Sequence, residues 1–239
     1  MPAYNEESAL PNLLQRIHEN LDEFGLDHKV ILVDDGSTDR TVEIAEGARS
    51  FLDIDIIKHS VNRGLGEAIM TGLRHALGLA DARDVIVTMD ADNSHTPGLI
   101  LRMVRSITEG NDVVIASRYM PGANVKGVSF PRRLLSYGAS VLCRIVFPTR
   151  NLRDYTSGYR AYRASVIGEA FSQFGEGLIR ESGFACMLEI LLKLRAMDAI
   201  ISEVPLVLRY DMRGGASKMK VFQTVKTTTA LVLKRRFGI

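Results

Sequence analysis

Three short and almost wholly apolar runs, each ending in polar residues, constrain this chain more than any other feature. Val30-Ile31-Leu32-Val33 runs into Asp34-Asp35-Gly36. Asp84-Val85-Ile86-Val87-Thr88-Met89 ends at Asp90, and Asp112-Val113-Val114-Ile115-Ala116-Ser117 ends at Arg118. Unbroken β-branched runs of this length are strands covered on both faces. Helical patterns lie between them, over about 8–24, 39–51, 66–79 and 97–109. The first carries Leu10, Leu13, Leu14, Ile17 and Leu21 on one stripe. Thr96-Pro97 reads as a helix start with Thr96 as cap, and Gly110 as its stop. Strand alternating with helix predicts an α/β fold, a mostly parallel central sheet with helices on both faces. Ligands in such sheets bind beyond the carboxyl ends of the strands. The residues there are Asp34, Asp35, Asp90, Asp92, Ser117 and Arg118.

The second half is less regular. Residues 131–147 and 183–197 read as helices, the latter with Phe184, Met187, Leu188, Leu191 and Leu192 as its apolar face. Residues 200–209 read as a strand broken by Pro205. Residues 218–237 form a basic amphipathic pattern, with Val221, Phe222, Val225 and Val232 against Lys218, Lys220, Lys226, Lys234, Arg235 and Arg236. There is no repeat, low-complexity tract or clear linker, so residues 1–239 read as one domain. At 46% hydrophobic and 24% charged, the composition excludes collagen-like, disordered and coiled-coil classes. Cys143 and Cys186 form no C-x-x-C pair, which leaves a reducing cytosol as the default. No uncharged apolar run reaches the roughly 20 residues that span a bilayer as a helix. Glu6 and Glu7 follow Met1 too soon for a secretory signal.

Charge is unevenly distributed. Residues 1–124 hold 11 Lys/Arg against 20 Asp/Glu, and residues 125–239 hold 19 against 8. The second half is therefore suited to face an anion: a phosphate, a nucleic acid or an acidic membrane surface. A nucleic acid is disfavoured, because Trp is absent and no run of aromatics offers a stacking platform.

Asp90-Ala91-Asp92 carries the most chemistry. Residues two apart in extended chain point to one side, which brings two carboxylates together. A hard dication, Mg²⁺ or Mn²⁺, relieves their repulsion and shares its other positions with water and phosphate oxygens. Asp34-Asp35-Gly36-Ser37-Thr38-Asp39 has two readings. Asp35 accepts from the imide of a uracil or the N–H groups of a guanine, or the segment is only a turn with Ser37, Thr38 or Asp39 capping the next helix. Asn62-Arg63-Gly64-Leu65-Gly66 opens a helix, where backbone N–H groups suit a phosphate, or is a plain tight turn.

Pro2-Ala3-Tyr4-Asn5-Glu6, the Asp34–Asp39 segment, Asn62–Gly66 and Met89-Asp90-Ala91-Asp92 occur in an order and spacing that resembles family 2 glycosyltransferases of the GT-A fold. Ser117-Arg118-Tyr119, Arg132-Arg133-Leu134-Leu135-Ser136, Asp154–Tyr159 and Arg213-Gly214-Gly215-Ala216-Ser217-Lys218 resemble the polyprenyl-phosphate branch of that family, typified by dolichol-phosphate mannose synthases. The resemblance implies a donor half, 1–124, and an acceptor half, 125–239. It places Pro2, Tyr4, Glu6, Asp35, Arg63 and Ala91 at the nucleotide. Asp90, Asp92 and Ser94 fall at a Mg²⁺ or Mn²⁺ ion, and Arg118 joins Asp90 and Asp92 as catalytic. Arg132, Ser136, Arg213 and Lys218 join Arg118 at the acceptor phosphate. His95 and Asp154 match positions near the site. Ser94 stands where the branch often has Gln, and Tyr155 where it often has Pro. Only Met1 precedes Pro2, where the family has a central strand. Its loss would leave ladder groups unpaired and apolar surface exposed, and suggests a start upstream or a truncated chain.

The implied function is inverting transfer of a hexose, mannose first, from a nucleotide sugar to a polyprenyl phosphate. UDP-glucose or a non-lipid acceptor remain alternatives, and a non-catalytic sugar-nucleotide binding module is a remoter one. The basic tail has two readings: a peripheral contact with the cytoplasmic membrane face, or packing on the domain.

Overall fold

The structure, a computed structural model, describes residues 1–213 apart from the side chain of Arg132. The expected basic tail and Lys218 lie outside the described residues. The elements in order are β1 (Pro2–Ala3), α1 (Leu10–Glu23), β2 (Val30–Asp34), α2 (Thr41–Gly47), β3 (Ile54–Lys58), α3 (Leu65–Leu79), β4 (Val85–Thr88) and α4 (Leu99–Thr108). They continue as β5 (Val113–Ser117), β6 (Asn124–Lys126), α5 (Phe130–Val146), β7 (Arg160–Arg163), α6 (Ala164–Phe174), α7 (Ala185–Ala196), β8 (Ile201–Pro205) and β9 (Val207–Arg209). A 3₁₀ turn, Tyr210–Met212, follows β9.

The apolar runs form strands for the expected reason. On β5, Val113 and Ile115 enter a core with Leu73, Ile167 and Leu188, while Val114 and Ala116 enter a second core with Leu10, Leu13 and Met103. Alternate side chains thus serve opposite faces, and both faces are covered. All five residues of the predicted α1 stripe are buried.

Strand order is β1-β2-β3 in one parallel block and β4-β7-β5-β8 in a second, with a small β6-β9 pair. The second block is mixed, because β7 runs antiparallel to both β4 and β5. Arg160 and Arg163 at its ends hide its strand character. Arg160 is fully buried and donates to the carbonyls of Tyr155, Ser157 and Met187, whereas Arg163 reaches Asp112 and the carbonyls of Ile107 and Asn111. The Thr96 cap is also corrected. Helix α4 begins at Leu99, and the Thr96 hydroxyl donates instead to the Val207 carbonyl, tying the helix entry to β9.

A strand does stand at the expected first position, but it has two residues, paired as Pro2↔Val33 and Ala3↔Asp34. Below it, β2 and β4 flank a cavity of about 680 Å³ lined by Leu21, Val30, Ile69, Leu73, Ile86 and Val104 among others. The Met1 amino group sits at this cavity and donates to the Ile31 carbonyl at 2.7 Å.

Candidate active site

The site forms where β1, β2, β4 and β5 end. Pro2–Glu6 and Ser37–Thr41 are zipped together: Asn5 N–H donates to Ser37, Glu6 N–H to Thr41, Glu7 N–H to Asp39, and Thr38 N–H to the Asn5 side chain. Asp39 also accepts from the N–H of Thr41, a turn bond across Arg40, which stands at the N-cap of α2 in place of the expected Ser37, Thr38 or Asp39. Gly36 adopts φ +75°, and a Cβ there would meet Val61 and Asn62 backbone at 2.6 Å. That close approach brings the Asn62–Gly64 loop against the end of β2. Pro2, Tyr4, Glu6 and Asp35 are thus assembled at one sheet end, as expected.

Asp35 has a further task there. Its carboxylate accepts from the N–H groups of Arg63 and Gly64 at 2.9 and 2.8 Å and bonds His59 at 2.7 Å. The two N–H groups that the glycine loop offered to a phosphate are therefore held by Asp35. The Arg63 guanidinium pairs with Glu67 one turn along α3. Buried Asp34 gives one oxygen to the Ser37 N–H, while its Oδ1 has no hydrogen-bond partner among the described residues.

The segment after β4 bends, so the extended-chain alternation expected for Asp90 and Asp92 does not apply. Asn93 takes φ +61°, a left-handed conformation that Asn tolerates. Asp90 opens onto a cavity of about 410 Å³, whereas Asp92 turns inward. Ser94 donates to Asp92 Oδ1 through its N–H at 3.0 Å and its hydroxyl at 2.6 Å. The Arg213 guanidinium stands 3.2 Å from Asp92 Oδ2. Burial pushes the Asp90 carboxyl up; His95 opposes this and nearby Asp92 adds to it. The Asp90 N–H donates to His95 Nδ1 at 3.2 Å, and His95 Nε2 lies 3.9 Å from Asp90 Oδ2. The His95 ring stacks on Tyr159 at 4.7 Å. His95 is thereby a positioning residue for the acidic loop.

Among the described residues, no three His, Cys, Asp or Glu side chains gather into a closed metal cage. Two neighbouring carboxylates, one of them raised by burial and by its neighbour, are the donor set of a hard dication that completes its shell with water and phosphate. Mg²⁺ or Mn²⁺ fits these residues.

Arg118 leaves the end of β5 and lines the same cavity. Its Nε and Nη2 donate to the two oxygens of Asp154, both at 2.7 Å, and its N–H donates to Oδ2 at 3.0 Å. Burial opposes the charge on each partner, but their mutual attraction prevails: Arg118 is held above its ordinary pKa and Asp154 below. Asp154 also accepts from Thr156 and Ser157 N–H groups, and its own N–H donates to Glu203 on β8 at 2.6 Å.

Ser136 lines the cavity and bonds the Tyr119 hydroxyl at 2.7 Å. Arg133, the second arginine of the Arg132–Ser136 motif and not one of the expected phosphate ligands, lines it too. Its spacing of three and four residues from Ser136 and Tyr137 on α5 was the available signal. The outer wall is apolar, with Val128, Phe130, Leu134 and Tyr137. Phe130 and Leu134 remain 75% and 59% exposed, so this wall continues onto the surface.

Comparison with known proteins agrees with this geometry. The family model described as Glycosyl transferase family 2 matches residues 1–171. A dolichol-phosphate mannosyltransferase of Pyrococcus furiosus is 36% identical over 222 residues, covering 92% of this chain, which spans 58% of that relative's length. An undecaprenyl-phosphate mannosyltransferase of Micrococcus luteus is 32% identical over 220 residues, 92% of this chain and 85% of the relative. Among solved structures, glucosyl-3-phosphoglycerate synthase from Mycobacterium tuberculosis with Mn²⁺ and UDP-glucose superposes with a TM-score of 0.68 at 22% identity, covering 100% of this chain and 77% of the other. That likeness shows the expected GT-A fold. With the family model matched over most of its length, the chain belongs to glycosyl transferase family 2.

Proposed function

We propose that this chain is an inverting glycosyltransferase that moves mannose from a nucleotide sugar to a polyprenyl phosphate. The observation that carries the reading is one cavity with three kinds of wall. Asp90 and Arg118 both line it, and so does an apolar face of α5 whose Phe130 and Leu134 stay exposed at the surface. A phosphate on a long apolar chain fits that sequence of surfaces. The mannosyltransferase names of the relatives support both sugar and acceptor.

Arg118 is the residue to seat the acceptor phosphate. Its Nε–Nη2 edge is held by Asp154 and Thr156, which fixes the direction of the guanidinium and leaves Nη1 to meet the phosphate, and the group does not lose its charge. The phosphate is already an anionic nucleophile. An oxygen of it attacks the anomeric carbon from the face opposite the diphosphate; the old carbon–oxygen bond breaks, and its electron pair leaves with the nucleotide diphosphate. Such a step rests on alignment and charge stabilisation and needs no strong general base. Asp90 and Asp92, with Ser94 beside them, would hold a Mg²⁺ or Mn²⁺ whose charge stabilises the departing diphosphate. The solved neighbour binds Mn²⁺ with its own nucleotide sugar. Pro2, Tyr4, Glu6, Asp35, Arg63 and Ala91 border the nucleotide in this reading. Arg132, Ser136 and Lys218 join Arg118 at the acceptor.

No helix among the described residues is long and apolar enough to cross a membrane. The exposed α5 face supports a peripheral membrane contact, beside or instead of the basic tail. Liposome co-sedimentation that survives tail deletion but fails in Phe130→Ser/Leu134→Ser would assign the contact to α5; the reverse pattern would assign it to the tail.

The reaction is tested by offering radiolabelled GDP- and UDP-sugars with a polyprenyl phosphate, with and without Mg²⁺ or Mn²⁺. GDP-mannose with metal should give labelled lipid, and Asp92→Ala should abolish it. Transfer by Asp92→Ala in chelator equal to the wild type would overturn the metal role. Transfer only to a water-soluble phosphate would overturn the lipid acceptor.

Arg118→Lys keeps the charge and loses the fork. It should raise the acceptor KM about tenfold or more while leaving nucleotide affinity within about twofold, as expected for losing a charge-assisted hydrogen bond worth ~1.5–3 kcal/mol. A matching loss of nucleotide affinity would remove Arg118 from the acceptor side.

A further inference from the structure

Neither oxygen of Asp92 is open in this structure. Ser94 holds Oδ1 twice, and Arg213 faces Oδ2. The Asp92–Arg213 pair is enclosed, its side chains 9% and 11% exposed. The approach of Arg213 is also built. Arg209 N–H donates to the Ser94 carbonyl at 2.8 Å, Asn93 Nδ2 donates to the Met212 carbonyl at 3.4 Å, and Arg16 holds the Asn93 side chain at 2.6 Å. The 3₁₀ turn that carries Arg213 is therefore pinned to the acidic loop from both sides.

A guanidinium at 3.2 Å and a dication cannot share one carboxylate oxygen in a poorly solvated site, because like charges a few ångströms apart repel strongly there. One must leave when the other arrives. We infer that Arg213 is the internal counter-ion of Asp92 in the free chain, and that arrival of the metal-bound donor expels it. The inference rests on the donor reading above. Its consequence concerns the acceptor. The Arg213 guanidinium lies 5.5 Å from the ring centre of Tyr210, and Tyr210 lines the acceptor cavity. The guanidinium thus already stands against a residue of the acceptor cavity's wall. Donor loading and acceptor binding are thereby coupled through Arg213. By linkage, a bound acceptor phosphate holds Arg213 away from Asp92 and tightens metal and donor binding by the same factor.

The test uses the whole chain and reads binding alone. Free Mn²⁺ is followed by electron paramagnetic resonance, with and without GDP or UDP, and farnesyl phosphate binding by calorimetry. Without nucleotide, Arg213→Met should bind Mn²⁺ about tenfold more tightly than the wild type, while Arg213→Lys, which keeps the charge, should stay near the wild type. In the wild type, Mn²⁺ with nucleoside diphosphate should tighten farnesyl phosphate binding several-fold, and Arg213→Met should lose that gain. Arg118→Met removes a guanidinium from the same cavity that does not touch Asp92; it should raise Mn²⁺ affinity less than Arg213→Met. An equal rise in both variants would reduce the effect to general charge and overturn the inference. Wild-type Mn²⁺ binding with no change in Arg213→Met would overturn it alone, leaving the donor reading in place. A wild type that binds no Mn²⁺ with either nucleotide would overturn both.

Discussion

Two carboxylates separated by one residue at the end of a covered strand impose the constraint around which this site is organised. Asp92 is buried, Asp90 stands beside it at the cavity, and unrelieved charge there is costly. The chain relieves it locally. Ser94 and Arg213 take Asp92, and His95 stands beside Asp90. Each relieving group comes with a support of its own. His95 is stacked on Tyr159, whose hydroxyl is tied to the Thr96 carbonyl, and Arg213 follows a turn held by Asn93. The loop geometry, including the left-handed Asn93, is part of this charge arrangement rather than a separate turn motif.

A second layer of positioning surrounds the acceptor side. Glu203 on β8 accepts from the N–H groups of Arg153 and Asp154, and Asp154 fixes Arg118. Arg160 anchors the same segment from below by binding the Tyr155 and Ser157 carbonyls. Thr156, Ser157 and Gly158, which line the cavity, are thus strung between two fixed points. Without such supports a long guanidinium would lose rotamer freedom only on meeting the anion, weakening binding by part of that entropy.

The sequence made the strands at β2, β4 and β5 legible, because runs such as Val113–Ala116 supply two cores at once and admit no polar residue until they end. The same rule located Asp35, Asp90 and Arg118. It could not show β7, whose Arg160 is buried by bonding carbonyls rather than by being apolar. Nor could it show β3, where Ile54-Asp55-Ile56-Ile57 mixes core and edge positions. The alternation argument for Asp90 and Asp92 assumed that the strand continued; it stops at Thr88. Asp35 was visible as a polar strand end, yet its hold on Arg63 and Gly64 depends on a close approach that only Gly36 permits. Partners far apart in sequence, such as Arg118 with Asp154 or Asp92 with Arg213, leave no local pattern to find.

The uneven charge of the two halves takes on meaning once these pairs are known. Arg118 is set by Asp154, so their charges nearly cancel as seen from a distance. Rigidity is obtained there at the expense of net attraction for an anion. An acceptor phosphate still requires uncompensated positive charge close to that fork. Arg133 on α5 lines the cavity and supplies some of it. Arg213 contributes only when it is not neutralising Asp92. A site built this way draws an anion weakly while the acidic loop is unfilled and strongly once that loop has another cation. In the proposed reading Arg213 serves two purposes in turn, balancing Asp92 before the donor arrives and holding the acceptor afterwards.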